Sequence, residues 1–226
     1  MDIKLNFIEK GTGFPLILLH GNGEDLSYFQ HQTEYFSKYY KVIALDTRGH
    51  GMSKRGTAPF TISQFAEDLH DFMTEKKIEK ANILGFSDGG NIALKFVLKY
   101  PEYVEKLVLN GANLNPKGVK FGVQIPIEIG YRIASLFAKH SEKAKQNAEM
   151  LGLMVNDPYI DAERLLSIKS KTLVIAGTND MIKEEHTKLI SKYIPGSKLV
   201  FLKGNHFIAS HNPFVFNKIV KEFLDE

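Results

Sequence analysis

The sequence predicts an α/β fold, with a mainly parallel twisted sheet of about seven strands, helices on both faces and a small helical cap. Three observations carry this. Short β-rich runs alternate with longer stretches of helical spacing along most of the chain. Several short runs are continuously apolar, as strands buried on both faces of a parallel sheet must be. The alternation lapses once, from residue 114 to about 167, where only helical patterns remain.

In chain order, IKLNFI (3–8) and LILL (16–19) are the first expected strands, followed by KVIAL (41–45). TISQFAEDLHDFMTEKK (61–77) places Ile62, Phe65, Leu69, Phe72 and Met73 on one helix face. ANIL (81–84) precedes GNIALKFVLKYP (90–101), a helix that stops at its proline, and KLVLN (106–110) is the next strand. TLVIA (172–176) and KLVFL (198–202) flank a helix in KEEHTKLISKYIPG (183–196), which ends in Pro-Gly. The last helix begins near NPF and takes in VFNKIVKEFL.

Between residues 114 and 167, IPIEIGYRIASLFAKH and SEKAKQNAEMLGLMVNDPYIDAERLL read as two or more amphipathic helices. About 50 residues is little for an independent core, so the stretch is expected as a cap inserted in a single domain spanning 1–226. Phe121, Ile125, Ile129, Ile133, Leu136 and Phe137 share a helix face there, with Pro126 suited to the first turn. That face either packs the cap onto the main domain or contributes, through Phe121, Ile125 and Ile129, to an acyl-binding pocket.

Composition excludes several classes. The chain has 226 residues, enough for a substantial core, and a net charge of only +3. No block of like charges suggests a nucleic-acid arm or membrane patch, and no apolar run reaches the length of a membrane span. Cysteine is absent, which removes disulfides, thiolate catalysis and zinc ribbons. The first residues, MDIKLNFIEKG, are strand-like rather than a signal sequence. The expectation is a cytoplasmic protein with no membrane insertion and no nucleic-acid partner. Its oligomeric state is left open.

The informative stretch is NILGFSDGGNIALKF (82–96). Three glycines in the six residues 85–90 are excessive for reversing direction. They suit a sharp strand-to-helix turn around Ser87, where Gly85 and Gly89 remove side chains that would collide. The turn lifts the hydroxyl above the sheet edge and aims helix N–H groups towards it. A serine hydroxyl needs a base, and the base an orienting acid. GTND puts Asp180 just past TLVIA, and KGNHF puts His206 just past KLVFL, where a parallel sheet gathers its functional loops. His31, His70, His140 and His186 fall on predicted helices and read as exposed or partly buried surface residues, and His211 is a weaker rival near a helix start. Asp157 and Asp161, in the cap, read as solvated or capping acids. An oxyanion formed at Ser87 would meet the backbone N–H of Asp88 and that of Asn22 in HGNG (20–23).

Together, HGNG, DTRGHGMS (46–53), GFSDGG (85–90), GTND (177–180) and GNHF (204–207) resemble the α/β-hydrolase family over essentially the whole chain. The resemblance implies a supporting role for Asp46, Arg48, Gly49, His50, Gly51 and Ser53, with His20 beside them. Relatives often carry two N-terminal strands before the strand that leads into HG, where this chain has room for one. The expected activity is hydrolysis of a small or medium carboxylic ester, or of an amide or amino-acyl ester. The catalytic residues are Ser87, Asp180 and His206, and neither metal nor organic cofactor is required. Phe86 joins the expected substrate-binding set. Carbon–carbon bond hydrolysis and cofactor-free perhydrolysis are alternatives, as is a ligand receptor on the same fold. Serine at the elbow argues against the aspartate-nucleophile relatives. Asp88 admits two readings: a carboxylate favoured by the helix N-terminus, or an amine-binding acid, since GFSDGG is similar to the elbow of valacyclovir hydrolases.

Overall fold

The computed structural model describes residues 2–226. Seven strands form one sheet: β1 (Phe7–Lys10), β2 (Pro15–Leu19), β3 (Lys41–Leu45), β4 (Ala81–Phe86), β5 (Val104–Asn110), β6 (Lys171–Asn179) and β7 (Lys198–Asn205). Their order is β1-β3-β2-β4-β5-β6-β7. β1 is an antiparallel edge strand on β3, and every other pairing is parallel. The chain steps from β2 to β3 on one side and reaches β4 on the other, so the carboxyl ends of β2 and β4 open a crevice at the reversal. Leu19 pairs with Gly85 at that edge.

The first strand starts later than its apolar pattern predicts. Ile3 and Leu5 are buried without belonging to a strand, and pairing begins only at Phe7.

Period-two alternation distributes the strands' side chains over two cores. Ile17, Leu19, Ile43, Ile83, Leu107 and Val174 face α2 (Ile62–Glu75) and α3 (Asp88–Lys99), which supply Phe65, Leu69, Phe72, Ile92 and Phe96. Leu16, Leu18, Val42, Leu84, Val108 and Ile175 face the other way, towards α1 (Gln30–Phe36) and two C-terminal helices. Phe36, Phe216, Val220 and Phe223 complete that layer. Thr61 caps α2 by accepting from the Gln64 N–H at 3.1 Å, and α3 stops before Pro101.

Two helices, α4 (Phe121–Phe137) and α5 (Glu142–Asn156), lie between β5 and β6 as a packed pair. Gly130 approaches Leu151, and Gly152 approaches Tyr131, so small residues set the close contact. Pro126 does not begin α4 but sits inside it, because Val123 and Gln124 N–H groups already bond the Lys120 carbonyl. The pair is moored to the sheet domain by Leu153, buried in the first core, and by Arg55, bidentate on Glu149 at 2.7 and 2.8 Å. The Ile160 N–H also bonds the Leu114 carbonyl. Among the described residues, no helix is long and apolar enough to cross a membrane.

Candidate active site

Strand β4 ends at Phe86 and α3 begins at Asp88, leaving Ser87 alone to make the turn. Its backbone is held at φ 52°, ψ −119°, a conformation that costs a residue with a side chain about 1–3 kcal/mol. Hydrogen bonds hold it there: its N–H donates to the Asn110 carbonyl at 2.8 Å, and its own carbonyl accepts from Gly90 and Asn91. A methyl group on Gly89 would lie 1.9 Å from the Leu19 carbonyl oxygen, and one on Gly85 would lie 2.3 Å from that of Gly89. Glycine is therefore required at both positions by backbone, which cannot give way. A methyl on Gly21 would meet the Phe86 ring at 3.0 Å and the Ser87 Cβ at 3.1 Å, so the HGNG loop lies directly against Ser87.

His206 follows β7 immediately, and Asp180 follows β6 immediately. His206 Nδ1 lies 2.6 Å from Asp180 Oδ1, and both side chains are buried. Asp180 Oδ1 also accepts from the Ile182 N–H at 2.9 Å, which fixes the carboxylate's orientation. The second ring nitrogen, His206 Nε2, is buried with no hydrogen-bond partner among the described residues. Gly111, with φ 65°, makes room for this imidazole: a methyl there would lie 2.7 Å from its Cε1.

The supporting loops are polar and dry. His20 Nε2 accepts from the Thr47 N–H at 3.0 Å, so its Nδ1 carries the proton and donates to the Gly21 carbonyl at 2.7 Å. Burial and the neighbouring His50 hold its pKa down to about 4, keeping the ring neutral. Asp46 accepts from Asn6 Nδ2 and from the Leu26 and Met52 N–H groups, while buried Arg48 is bidentate on Asp68 and reaches Asp2. These residues brace the loops and touch neither ring nitrogen of His206.

Asp88 does not turn to solvent. It is 7 % exposed; Oδ1 accepts from Asn91 Nδ2 at 3.0 Å, and Oδ2 is buried without a partner. Burial pushes its pKa up to about 7, reinforced by the charge of Asp157. Asp157 itself accepts from the Ile62 N–H at 2.9 Å, capping α2. Two further groups escaped sequence reasoning. Glu24 accepts from the Gly21 N–H at 3.3 Å, and burial pushes it up to about 7. Tyr28 stacks on Phe86 at 4.3 Å with a buried, unpartnered hydroxyl. The acid three residues after Gly21 was the available signal for the first, and nothing local marked the second.

Several expectations need correction. Phe86 is not a pocket wall: its ring is 1 % exposed, enclosed by Tyr28, His206 and Phe207. Phe121, Ile125 and Ile129 are exposed rather than packed onto the sheet domain. They stand on the solvent side of α4 because Val123, Gln124, Ile127, Gly130 and Tyr131 occupy its inner side. His186 is partly buried, as expected, and accepts from the Leu114 N–H at 2.9 Å. Asn22 has a second attachment, its Nδ2 donating to the Met150 carbonyl of α5 at 2.8 Å.

The sequence model described as the alpha/beta hydrolase fold matches residues 15–131. Serine hydrolase BPHL of Homo sapiens is 28 % identical, the alignment covering 98 % of this chain and 83 % of that protein. A 2-hydroxymuconate semialdehyde hydrolase of Pseudomonas putida is 26 % identical, over 99 % of this chain and 91 % of its own. Among solved structures, the enol-lactonase of Burkholderia xenovorans LB400 superposes with a TM-score of 0.84 at 23 % identity, covering 99 % of this chain and 97 % of that one. This last likeness speaks to the fold.

Proposed function

Because the chain belongs to the α/β-hydrolase family, we propose that it is a serine hydrolase cleaving small or medium carboxylic esters through an acyl-enzyme. The observation that carries the reading is the buried His206–Asp180 pair, one ring nitrogen fixed at 2.6 Å and the other uncommitted, in a chain whose serine occupies the β4–α3 elbow. In the proposed cycle Ser87 Oγ attacks the ester carbonyl carbon while its proton passes to His206 Nε2. Asp180 holds Nδ1–H and stabilises the imidazolium. The Asn22 and Asp88 N–H groups receive the oxyanion, each worth about 3 kcal/mol of transition-state stabilisation. The imidazolium then protonates the departing alkoxide, and water, activated by the same ring, releases the acid. Every step uses this chain's own groups.

The test is fluorophosphonate labelling followed by turnover of chromogenic esters of graded acyl length. Labelling and turnover should both vanish in Ser87→Ala. Turnover that survives this substitution would remove Ser87 from the chemistry, and labelling without turnover on any ester would favour a receptor on the same fold. The carbon–carbon bond reading predicts turnover of 2-hydroxymuconate semialdehyde, the compound in the Pseudomonas putida relative's name, where esters fail.

The unpartnered Asp88 oxygen favours one finer reading, an α-amino acyl ester bound with its ammonium on that carboxylate. The elbow's resemblance to valacyclovir hydrolases supports it. An ammonium needs the ionised acid, and Asp88 is protonated below about 7. KM for an amino-acid ester is thus expected to rise as pH falls below that value, while KM for the deaminated isostere stays level. Asp88→Asn should abolish the difference. Equal kcat/KM for both esters in the wild-type enzyme would exclude the amine site.

A further inference from the structure

The surface that nothing above uses is the outer side of α4. Phe121, Ile129, Ile133, Leu136 and Phe137 are between 53 and 75 % exposed on this one helix. Their spacing places them on a common arc, with Pro126 and Ile125 among them. Together they present on the order of 600 Å² of apolar surface, at the upper end for the largest patch of a monomer. The charges on the arc are of one sign: Arg132 stands within it, and Lys139 follows the helix end, both exposed. Glu128, the one acid of α4, lies at its edge, where Gln124 Nε2 donates to it at 3.2 Å.

We infer that this arc lies on an anionic lipid surface. An apolar stripe carrying basic side chains and no outward carboxylate has the pattern of an interfacial helix, its cations reaching the headgroups as its apolar groups enter the acyl boundary. A second copy of the chain fits less well. Isologous pairing would set this arc against itself, bringing Arg132 and Lys139 to a surface that offers no carboxylate. The assignment revises the expectation of no membrane partner, at the level of surface contact rather than insertion, and is independent of the chemistry at Ser87.

The test is co-sedimentation of the whole protein with vesicles of phosphatidylcholine alone, or of phosphatidylcholine with a minority of phosphatidylglycerol. The wild-type chain should partition onto the anionic vesicles and far less onto the neutral ones. Ile129→Glu combined with Leu136→Glu should lower partitioning at least tenfold with an unchanged melting temperature, since both side chains are already in water. Arg132→Gln with Lys139→Gln should erase the preference for phosphatidylglycerol. Absence of wild-type binding to either vesicle would overturn the inference, as would undiminished binding by the double glutamate variant or equal binding to both lipids. A dimer in buffer, split by the same glutamate substitutions in sedimentation velocity, would assign the arc to a second copy and overturn it too.

Discussion

The β4–α3 elbow and helix α4 stand at opposite extremes of constraint. At the elbow, backbone meets backbone so closely that a single methyl cannot be added at Gly85 or Gly89. On α4, large apolar side chains stand more than half exposed along one side of the helix. One region is determined by local chain geometry, and the other by whatever it encounters. The contrast separates what the reaction demands of this fold from what the fold leaves free, and substitutions can be ranked by it.

The largest effect belongs to the charge behind the base. Asp180→Asn keeps the shape of the side chain but favours the wrong imidazole tautomer, and kcat should fall on the order of 10⁴-fold. Steady-state kinetics on a good ester checks this; retention of a tenth of the activity would send the search for the acid elsewhere. Next is the elbow's packing. Gly89→Ala must displace the Leu19 carbonyl, and chemical denaturation should show a loss of about 3 kcal/mol. If α4 were as constrained, Leu136→Ser would cost comparably; the expectation is a change within about 0.5 kcal/mol.

Between these extremes lies Asp88. Its folded pKa of about 7 is above the ordinary carboxylate value, so its protonated form favours the folded state. That contribution is complete below about pH 4 and is lost as pH rises through about 7. The stability of Asp88→Asn relative to wild type should therefore rise across this window, by no more than about 1.4 kcal/mol per pH unit, and level off above it. Urea denaturation at a series of pH values measures the slope, and a flat difference would mean that the carboxyl is solvated. A smaller effect tests the tie between the HGNG loop and α5. Asn22→Ala keeps the backbone N–H but releases the side chain from the Met150 carbonyl, removing a hydrogen bond worth roughly 0.5–1.5 kcal/mol. kcat is expected to fall up to about tenfold, with KM for a short ester nearly unchanged.

The same contrast explains what could be read from the chain. Gly85, Ser87 and Gly89 were legible because so sharp a strand-to-helix reversal admits few residue types, and Asp180 and His206 because strand ends are visible as apolar runs. The alternation of runs also exposed the parallel sheet. The orientation of α4 was not legible. Its inner side, with Val123, Ile127 and Tyr131, is as apolar as its outer side, so the wheel had no polar half to mark solvent. Nor was the burial of Asp88, or the charge of Asp157, distant in sequence, that raises its pKa further. Tyr28 stacks on Phe86 across a gap of many residues that no local pattern spans.

The missing side chain at Gly89 also has a mechanical consequence. With 1.9 Å between its would-be methyl and the Leu19 carbonyl, the first turn of α3 and the end of β2 are in direct backbone contact. The serine sits on one side of that contact and the HGNG loop on the other, so a displacement of one is passed to the other. The α4–α5 pair is joined to these segments through the Asn22–Met150 hydrogen bond, so a displacement of the pair would be felt first at the HGNG loop.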